Sequence, residues 1–540
     1  MKHITGEQYS AAEWYFKQGK PYQNPFLEAD MDAEVTCPGG GKLTVPAFWS
    51  GGDDWGVRFA PPEPGEYTYR ILCSDREESS QEIQTGTIQV TPYRGDNPVL
   101  RHGPLGIAPG RRTFEFSDGT PFLWMGDTWW MGLSKRLRWP GDFKFLTEDR
   151  VRKGFSVIQI VAGLYPDMPP LDTRSENEAG TVWEQDFETI NPAYFDMADL
   201  RIHWLLRSGL VPCILGCWGY YLPVMGPEKM KKHWRYVIAR WSAYPVIWCA
   251  AGEAAMPYYL SEDKETDQQK QREGWTGMCR FIKQTDPHRR LLTVHPIQTG
   301  RDQVTDDTVM DFEMLQTGHG GYESVTNSVG CVLKSYERKP VMPFIIAEAN
   351  YEGIFHHTQA EVQRLTFWSA YLSGAAGYSY GANGLWQVNL PGAPYGPSPH
   401  GGVWGNTPWE EAMGLPGSRQ LGAARKYIRE NGWENLEPHP EWVSPRAANN
   451  GKAGDISRGY AAGIPGKLRV IYFYQPTLPW SEDSAYRILG LETGLSYRAS
   501  FVHPATFEET YIGTAEADQN GEWGIPLQPE MKDWLVVLTV

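Results

Sequence analysis

The sequence predicts an α/β protein: a (β/α)8 TIM barrel over residues 96–436, flanked by antiparallel β-sandwich domains over 1–95 and 437–540. Three observations predict it. Up to about Gln89, short alternating segments are broken by turn residues. From Phe122 to about Asn431, apolar strand-like runs alternate with longer helical segments, and beyond Pro438 the helical period disappears. A chain of 540 residues is too long for one ordinary core and has room for such a division.

In the first part, LTVPAFW, WGVRFA and EYTYRILC are separated by PGGGK, SGGDD and PPEPGE, the turn-rich spacing of a sandwich. The stretch TPYRGDNPVLRHGP, residues 91–104, carries three prolines and two glycines and reads as a linker. In the second part FLWMGD, VIQIVAG, VPCILGC, VIWCAAGE, LLTVHP, MDFEMLQ, FIIAEAN and GYSYGAN are eight candidate strands. Apolar runs of this length suit strands buried on both faces, as in a parallel sheet. Between them, DFKFLTEDRVRKGF, PAYFDMADLRIHWLLRSG, PEKMKKHWRYVIARWSAY and TQAEVQRLTFWSAYLSG have helical periodicity, with Gly or Tyr-Pro near their ends. The sixth unit is the least regular, because MDFEMLQ carries two acidic residues that a barrel interior accepts only near its mouth. In the third part KLRVIYFY, SYRASFVHP, TFEETYIG and DWLVVLTV alternate like antiparallel strands, and the tail WLVVLTV, apolar on both faces, reads as a central one.

Barrel chemistry sits at the carboxyl ends of the strands, where the loops converge. Those ends read Asp127, Trp218 to Tyr220, Glu253, His295, Gln316, Glu348 and Tyr380, a set of titratable, hydrogen-bonding and stacking groups. Glu253 and Glu348, ending strands four and seven, are candidate catalytic residues. Sugar hydrolysis needs one proton-donating carboxyl and one ionised partner, and the distance between them sets the stereochemistry. Composition agrees with a neutral carbohydrate substrate. The net charge of -15 disfavours nonspecific nucleic-acid or anionic-membrane partners. Aromatic residues make up 13%, including 23 Trp and 28 Tyr, and many fall near strand ends, where flat rings with a polar edge suit sugars.

The N-terminus MKHITGEQYSAAEWYF has no signal-like apolar run and no segment reaches membrane-spanning length, so the expectation is a cytoplasmic protein with no membrane partner. Seven cysteines without paired short spacings predict buried thiols and neither a disulfide framework nor a zinc site. No cofactor or metal is expected. A homo-oligomer stays open.

The phrases PFLWMGDTWWMGL, KGFSVIQIV, VIWCAAGE, PFIIAEANYEG and GYSYGANGLWQ resemble the apiosidase-like family of glycoside hydrolases, whose barrels are similar to those of the large retaining clan. AFWSGGDDWGVRFAPPEPGEYTYR is similar to the Ig-like domain that often precedes such barrels, and the C-terminal sandwich resembles a module carrying a collagen-binding label. The resemblance implies Glu253 as general acid/base and Glu348 as nucleophile. It places Asp127 in the subsite of the reacting sugar, with Trp386 and Gln387 beside it. One departure stands out: the wider clan usually has Asn before its acid, where this chain has Gly252. Apiosidase-like members can also have Asp at the position of Glu253, so the sugar stays open.

Each supporting residue carries two readings. Asp127 either binds a sugar hydroxyl or caps the turn begun by Thr128. His295 either hydrogen-bonds a catalytic carboxylate or is satisfied by backbone. Trp218, Tyr220, Tyr380, Asn383 and Trp386 either contact sugar or pack. For the whole chain, the alternatives to a retaining glycosidase are an inverting hydrolase, a lyase using the same carboxylates, or a noncatalytic carbohydrate-binding protein.

Overall fold

The structure is a computed structural model describing residues 2–75, 81–184, 187–447, 456–478, 480–481 and 485–540. Eight parallel strands form the central sheet: β1 (Trp124–Thr128), β2 (Val157–Val161), β3 (Val211–Leu215), β4 (Ile247–Cys249), β5 (Leu292–Thr293), β6 (Glu313–Gln316), β7 (Phe344–Glu348) and β8 (Gly377–Tyr380). Their order runs from β5 back to β1, then through β8 and β7 to β6. All eight predicted strands are present. Almost every residue in them is buried, which is why they read as continuous apolar runs and not as alternation.

The ring has one seam. Among the described residues, β5 and β6 share no ladder, and the chain between them forms two 3-10 turns, Gly300–Asp302 and Asp307–Val309, where a helix was expected. Three bonds bridge the gap: Asp311 N–H donates to Leu292 O at 2.8 Å, Leu292 N–H donates to Asp311 Oδ2 at 2.8 Å, and Thr293 Oγ1 donates to Phe312 O at 2.8 Å. The two acidic residues of the sixth unit therefore lie at the amino end of β6 and not at the mouth. Asp311 ties the seam, and Glu313 turns to the 3-10 turn, where it accepts Arg301 N–H at 3.1 Å.

A helix follows every other strand, with local signals that match its ends. α1 (Gly141–Lys153) stops at Gly154, whose φ of 101° closes it in the left-handed region. α2 (Pro192–Arg207) starts at Asn191, whose side chain accepts Tyr194 N–H, with Pro192 in its first turn. α3 (Pro227–Trp241) packs its buried face beside α2, with Phe195, Tyr236 and Trp241 in contact.

Residues 105–122, ahead of the barrel, form a small three-stranded antiparallel sheet that was not predicted. Phe114 in it packs on Trp124, which opens β1, and on Phe312, which precedes β6, closing the amino end of the barrel.

The N-terminal part is a two-sheet sandwich of five and three strands, antiparallel except for one edge pair. Trp14, Phe16 and Val57 from the smaller sheet pack against Met31, Val35 and Ile71 from the larger. Arg58 turns away from that core into the barrel. It is 3% exposed, bonds Asp199 of α2 at 2.6 Å and donates to Arg240 O of α3 at 2.8 Å. In the C-terminal part, Trp534–Thr539 is central, between Leu468–Phe473 and Ser496–Val502, as predicted. Asp533 beside it pairs with Arg364 of the helix after β7 at 2.8 Å. All seven cysteines are free thiols and all but Cys37 are buried. Among the described residues, no helix is long and apolar enough to cross a membrane.

Candidate active site

Glu348 ends β7, and Glu253 follows β4 by four residues, so the parallel sheet delivers both to its carboxyl end. Both line one cavity of about 330 Å³. A single amide joins them: Gln316 Nε2, at the end of β6, donates to Glu253 Oε1 at 2.9 Å and to Glu348 Oε1 at 3.3 Å. Because both bonds start from one nitrogen, these two oxygens are separated by no more than the two lengths end to end, about 6.2 Å.

The two carboxyls are pushed in opposite directions. Burial first, and then the Glu348 charge, raise Glu253 from 4.5 to about 8, although Gln316 and Trp218 donate to it. Burial also acts upward on Glu348, but hydrogen bonding and charge from His319, then the His295 charge, outweigh it and hold this carboxyl below its ordinary value. His319 Nδ1 accepts Tyr351 N–H at 3.1 Å, so its proton sits on Nε2, which donates to Glu348 Oε1 at 2.9 Å. His295, fully buried, has its Nε2 3.5 Å from Glu348 Oε2, and burial holds its imidazole below the ordinary histidine value. Near neutral pH the arrangement therefore offers one protonated and one ionised carboxyl.

The backbone is strained where these groups are presented. Glu253, Asn350 and Asp167 have φ of 41°, 47° and 54°, a region that side chains rarely occupy. Gly252 has a steric cause. A Cβ there would lie 2.2 Å from the Trp218 ring, and with none present the indole lies across the position and its Nε1 donates to Glu253 Oε2 at 3.1 Å. The departure at Gly252 thus makes space for a second donor to the raised carboxyl.

Of the residues singled out by sequence, Glu253, Glu348, Trp218, Gln316 and Trp386 meet in the cavity. The others do not line it. Asp127, expected in the sugar subsite, is fully buried: it pairs with Arg150 of α1 at 2.5 Å, accepts the Trp129 indole at 2.6 Å and accepts Thr128 N–H at 3.0 Å. That is close to the capping alternative. Tyr380, its register partner on β8, faces the same way and donates to Glu352 at 2.5 Å. Tyr220 donates to Tyr165 O at 2.9 Å, while Gln387 donates to Asn383 and accepts Gly384 N–H, bracing the loop after β8. His295 stands behind Glu348, edge-on to Trp130.

Sequence reasoning missed Trp130, Asp167, Tyr259, His319, Tyr351 and Trp404, which also line the cavity. His319 and Tyr351 each follow a strand-end residue, Gln316 and Glu348, by three positions, and that spacing was the available signal. Asp167 lies in an irregular loop with no such mark, whereas Trp404 lies in QVNLPGAPYGPSPHGGVWGN, whose length and Gly and Pro content read as a loop able to wall the pocket. Among the described residues no group of three or more His, Cys, Asp and Glu is placed to hold a metal ion.

A family model described as the apiosidase-like catalytic domain matches residues 108–435, and one described as a domain of unknown function, DUF5060, matches residues 5–74. Among solved structures, a glycoside hydrolase aligns at 21% identity with a TM-score of 0.66, over 83% of this chain and 98% of its own. A glycoside hydrolase family 5 protein from Bacteroides vulgatus aligns at 20% identity and TM-score 0.66, over 81% and 93%. A second Bacteroides vulgatus protein, itself a glycoside hydrolase candidate, aligns at 18% identity and TM-score 0.67 over 99% and 100%. At these identities the structures show a shared fold. No curated protein matches the chain.

Proposed function

Because the chain belongs to the apiosidase-like family of glycoside hydrolases, we propose that its cavity cleaves a neutral sugar glycoside or short oligosaccharide by retaining double displacement. One observation carries the reading: Gln316 binds two carboxyls of opposed titration within about 6.2 Å. Retaining enzymes hold their carboxyls ~5 Å apart, whereas inverting ones leave roughly 6.5–9.5 Å for a water. The limit here applies to one pair of oxygens and falls short of the wider range.

In the first step a Glu348 oxygen attacks the anomeric carbon, the bond to the leaving oxygen breaks, and the Glu253 proton passes to that oxygen. In the second step Glu253, now ionised, takes a proton from water as the water oxygen attacks the same carbon, and the Glu348 ester bond breaks. Each carboxyl ends in its starting state. Trp386 Nε1 and Gln316 Oε1, both buried without a protein partner, are a donor and an acceptor available to sugar hydroxyls. A noncatalytic sugar-binding protein has no need of the split titration.

The test is a panel of nitrophenyl apiosides, arabinosides, galactosides and rhamnosides, with NMR of the first anomer released from the best substrate. Retained configuration is expected, and inversion overturns the mechanism. Glu348→Gln is expected to abolish turnover while the circular dichroism and melting curve stay close to wild type; undiminished hydrolysis by that variant overturns the assignment.

A further inference from the structure

A third carboxylate lines the cavity, and the double displacement does not use it. Asp167 lies in the loop after β2 with φ of 54°. Two other loops hold it there. Its N–H donates to Tyr259 Oη at 2.8 Å from the loop after β4, and its Oδ2 accepts Trp404 Nε1 at 3.2 Å from the loop after β8. The ion pairs formed by the described residues include none to Asp167. Burial raises its pKa and the Glu348 charge adds to that, outweighing the Tyr259 and Trp404 hydrogen bonds and the His400 charge, which act downward.

A strained backbone and a carboxylate outside the ion pairs of the described residues, in a cavity lined largely by aromatic rings, both cost stability. If the role were structural, an amide or an apolar side chain would serve at lower cost. Neutral O–H donors, by contrast, suit this group: a carboxylate accepts them well, and a cationic partner in place would compete with them. We propose that Asp167 is a specificity-determining residue, accepting a hydrogen bond from a hydroxyl of the bound sugar remote from its anomeric carbon, so that the site demands a hydroxyl at that ring position. This rests on the glycosidase reading and goes beyond it, because it assigns substrate selection to the loop after β2 and separates it from the reacting pair.

The experiment pairs protein variants with altered substrates. The nitrophenyl glycoside turned over fastest in the panel is compared with its monodeoxy analogues, each lacking one ring hydroxyl, for wild type, Asp167→Asn and Asp167→Ala. A buried acceptor left unpaired rejects the analogue strongly, so wild type is expected to lose about a thousandfold or more in kcat/KM for one deoxy position. Asp167→Ala is expected to cleave that analogue and the parent within about tenfold of each other, because neither then leaves a carboxylate unpaired. Asp167→Asn keeps the shape and an acceptor for Trp404, and is expected to fall between them. Equal penalties in all three proteins, or a uniform loss across every analogue, overturn the proposal while leaving the glycosidase reading intact. Failure of wild type to hydrolyse any glycoside of the panel overturns both.

Discussion

Replacing Glu253 by Gln is expected to lower thermal stability near pH 4.5 and to raise it near pH 8. The cause is the carboxyl's position between Glu348 and aromatic walls, which moves it from 4.5 to about 8. In the unfolded chain it titrates near the ordinary value, so between those two pH values the native state keeps a proton that the unfolded state has released. Where the native state binds more protons, stability falls with rising pH. The contribution is therefore full below about pH 4.5 and lost above about pH 8. At ~1.4 kcal/mol per pH unit the full window is worth at most roughly 5 kcal/mol, and water in an open cavity reduces that to about 2. The introduced amide does not titrate. It has one oxygen facing two donors, Gln316 Nε2 and Trp218 Nε1, which costs about 1 kcal/mol at every pH and cancels when pH values are compared. The melting temperature of the variant minus that of wild type should therefore climb by about 2 degrees between pH 4.5 and pH 8, measured by scanning calorimetry. A flat or falling difference would refute the raised pKa and, with it, the choice of Glu253 as the acid.

Three further perturbations follow from particular contacts. His319→Ala removes a donor that keeps Glu348 ionised, so the nucleophile's pKa rises and the acidic limb of the kcat/KM profile should move to higher pH; an unmoved limb counts against His319. Gly252→Ala forces the Trp218 ring away and breaks its bond to Glu253, which holds that pKa down, so the alkaline limb should shift upward and overpacking should cost ~1–3 kcal/mol in a urea melt. Arg150→Met leaves Asp127 buried without its ion pair and should destabilise the protein by roughly 3–5 kcal/mol by the same urea melt, with KM of the surviving native fraction unchanged, since neither residue lines the cavity.

The fold was legible because barrel strands buried on both faces are continuous apolar runs, and each of the eight appears where its run lies. Two elements were not. Strands of two or three residues, such as Leu105–Ile107 and Pro121–Phe122, are too short to show alternation. The stretch between β5 and β6 breaks into 3-10 turns, one opened by the Asp306 side chain accepting Thr308 N–H, and such turns have no long-range period to read. In the site, residue type at a strand end was readable and facing direction was not. Successive side chains alternate between inside and outside. On β1 and β8, Trp124 and Ser379 bond to each other within the barrel, while Asp127 and Tyr380, paired in register, turn outward to Arg150 and Glu352. An end residue read one position out of phase is moved from the pocket to the helix layer. Glu348 escaped that ambiguity, the long Gly- and Pro-bearing loop after β8 marked the wall that Trp404 belongs to, and Asp167 depends on contacts between distant segments that no local pattern records.

Arg58 gives the N-terminal module a role unlike that of a detachable appendage. Cutting the chain ahead of the barrel would strip Asp199 of one of its two guanidinium partners and lay Phe48's ring site on Arg240 and Tyr236 open to water. The barrel's outer surface on this side is thus incomplete by itself, and a truncated chain would begin with a carboxylate left to Arg240 alone and a sticky patch. Module shuffling that separates the two pieces carries a folding penalty from the outset, so they are best treated as a single heritable and expressible unit.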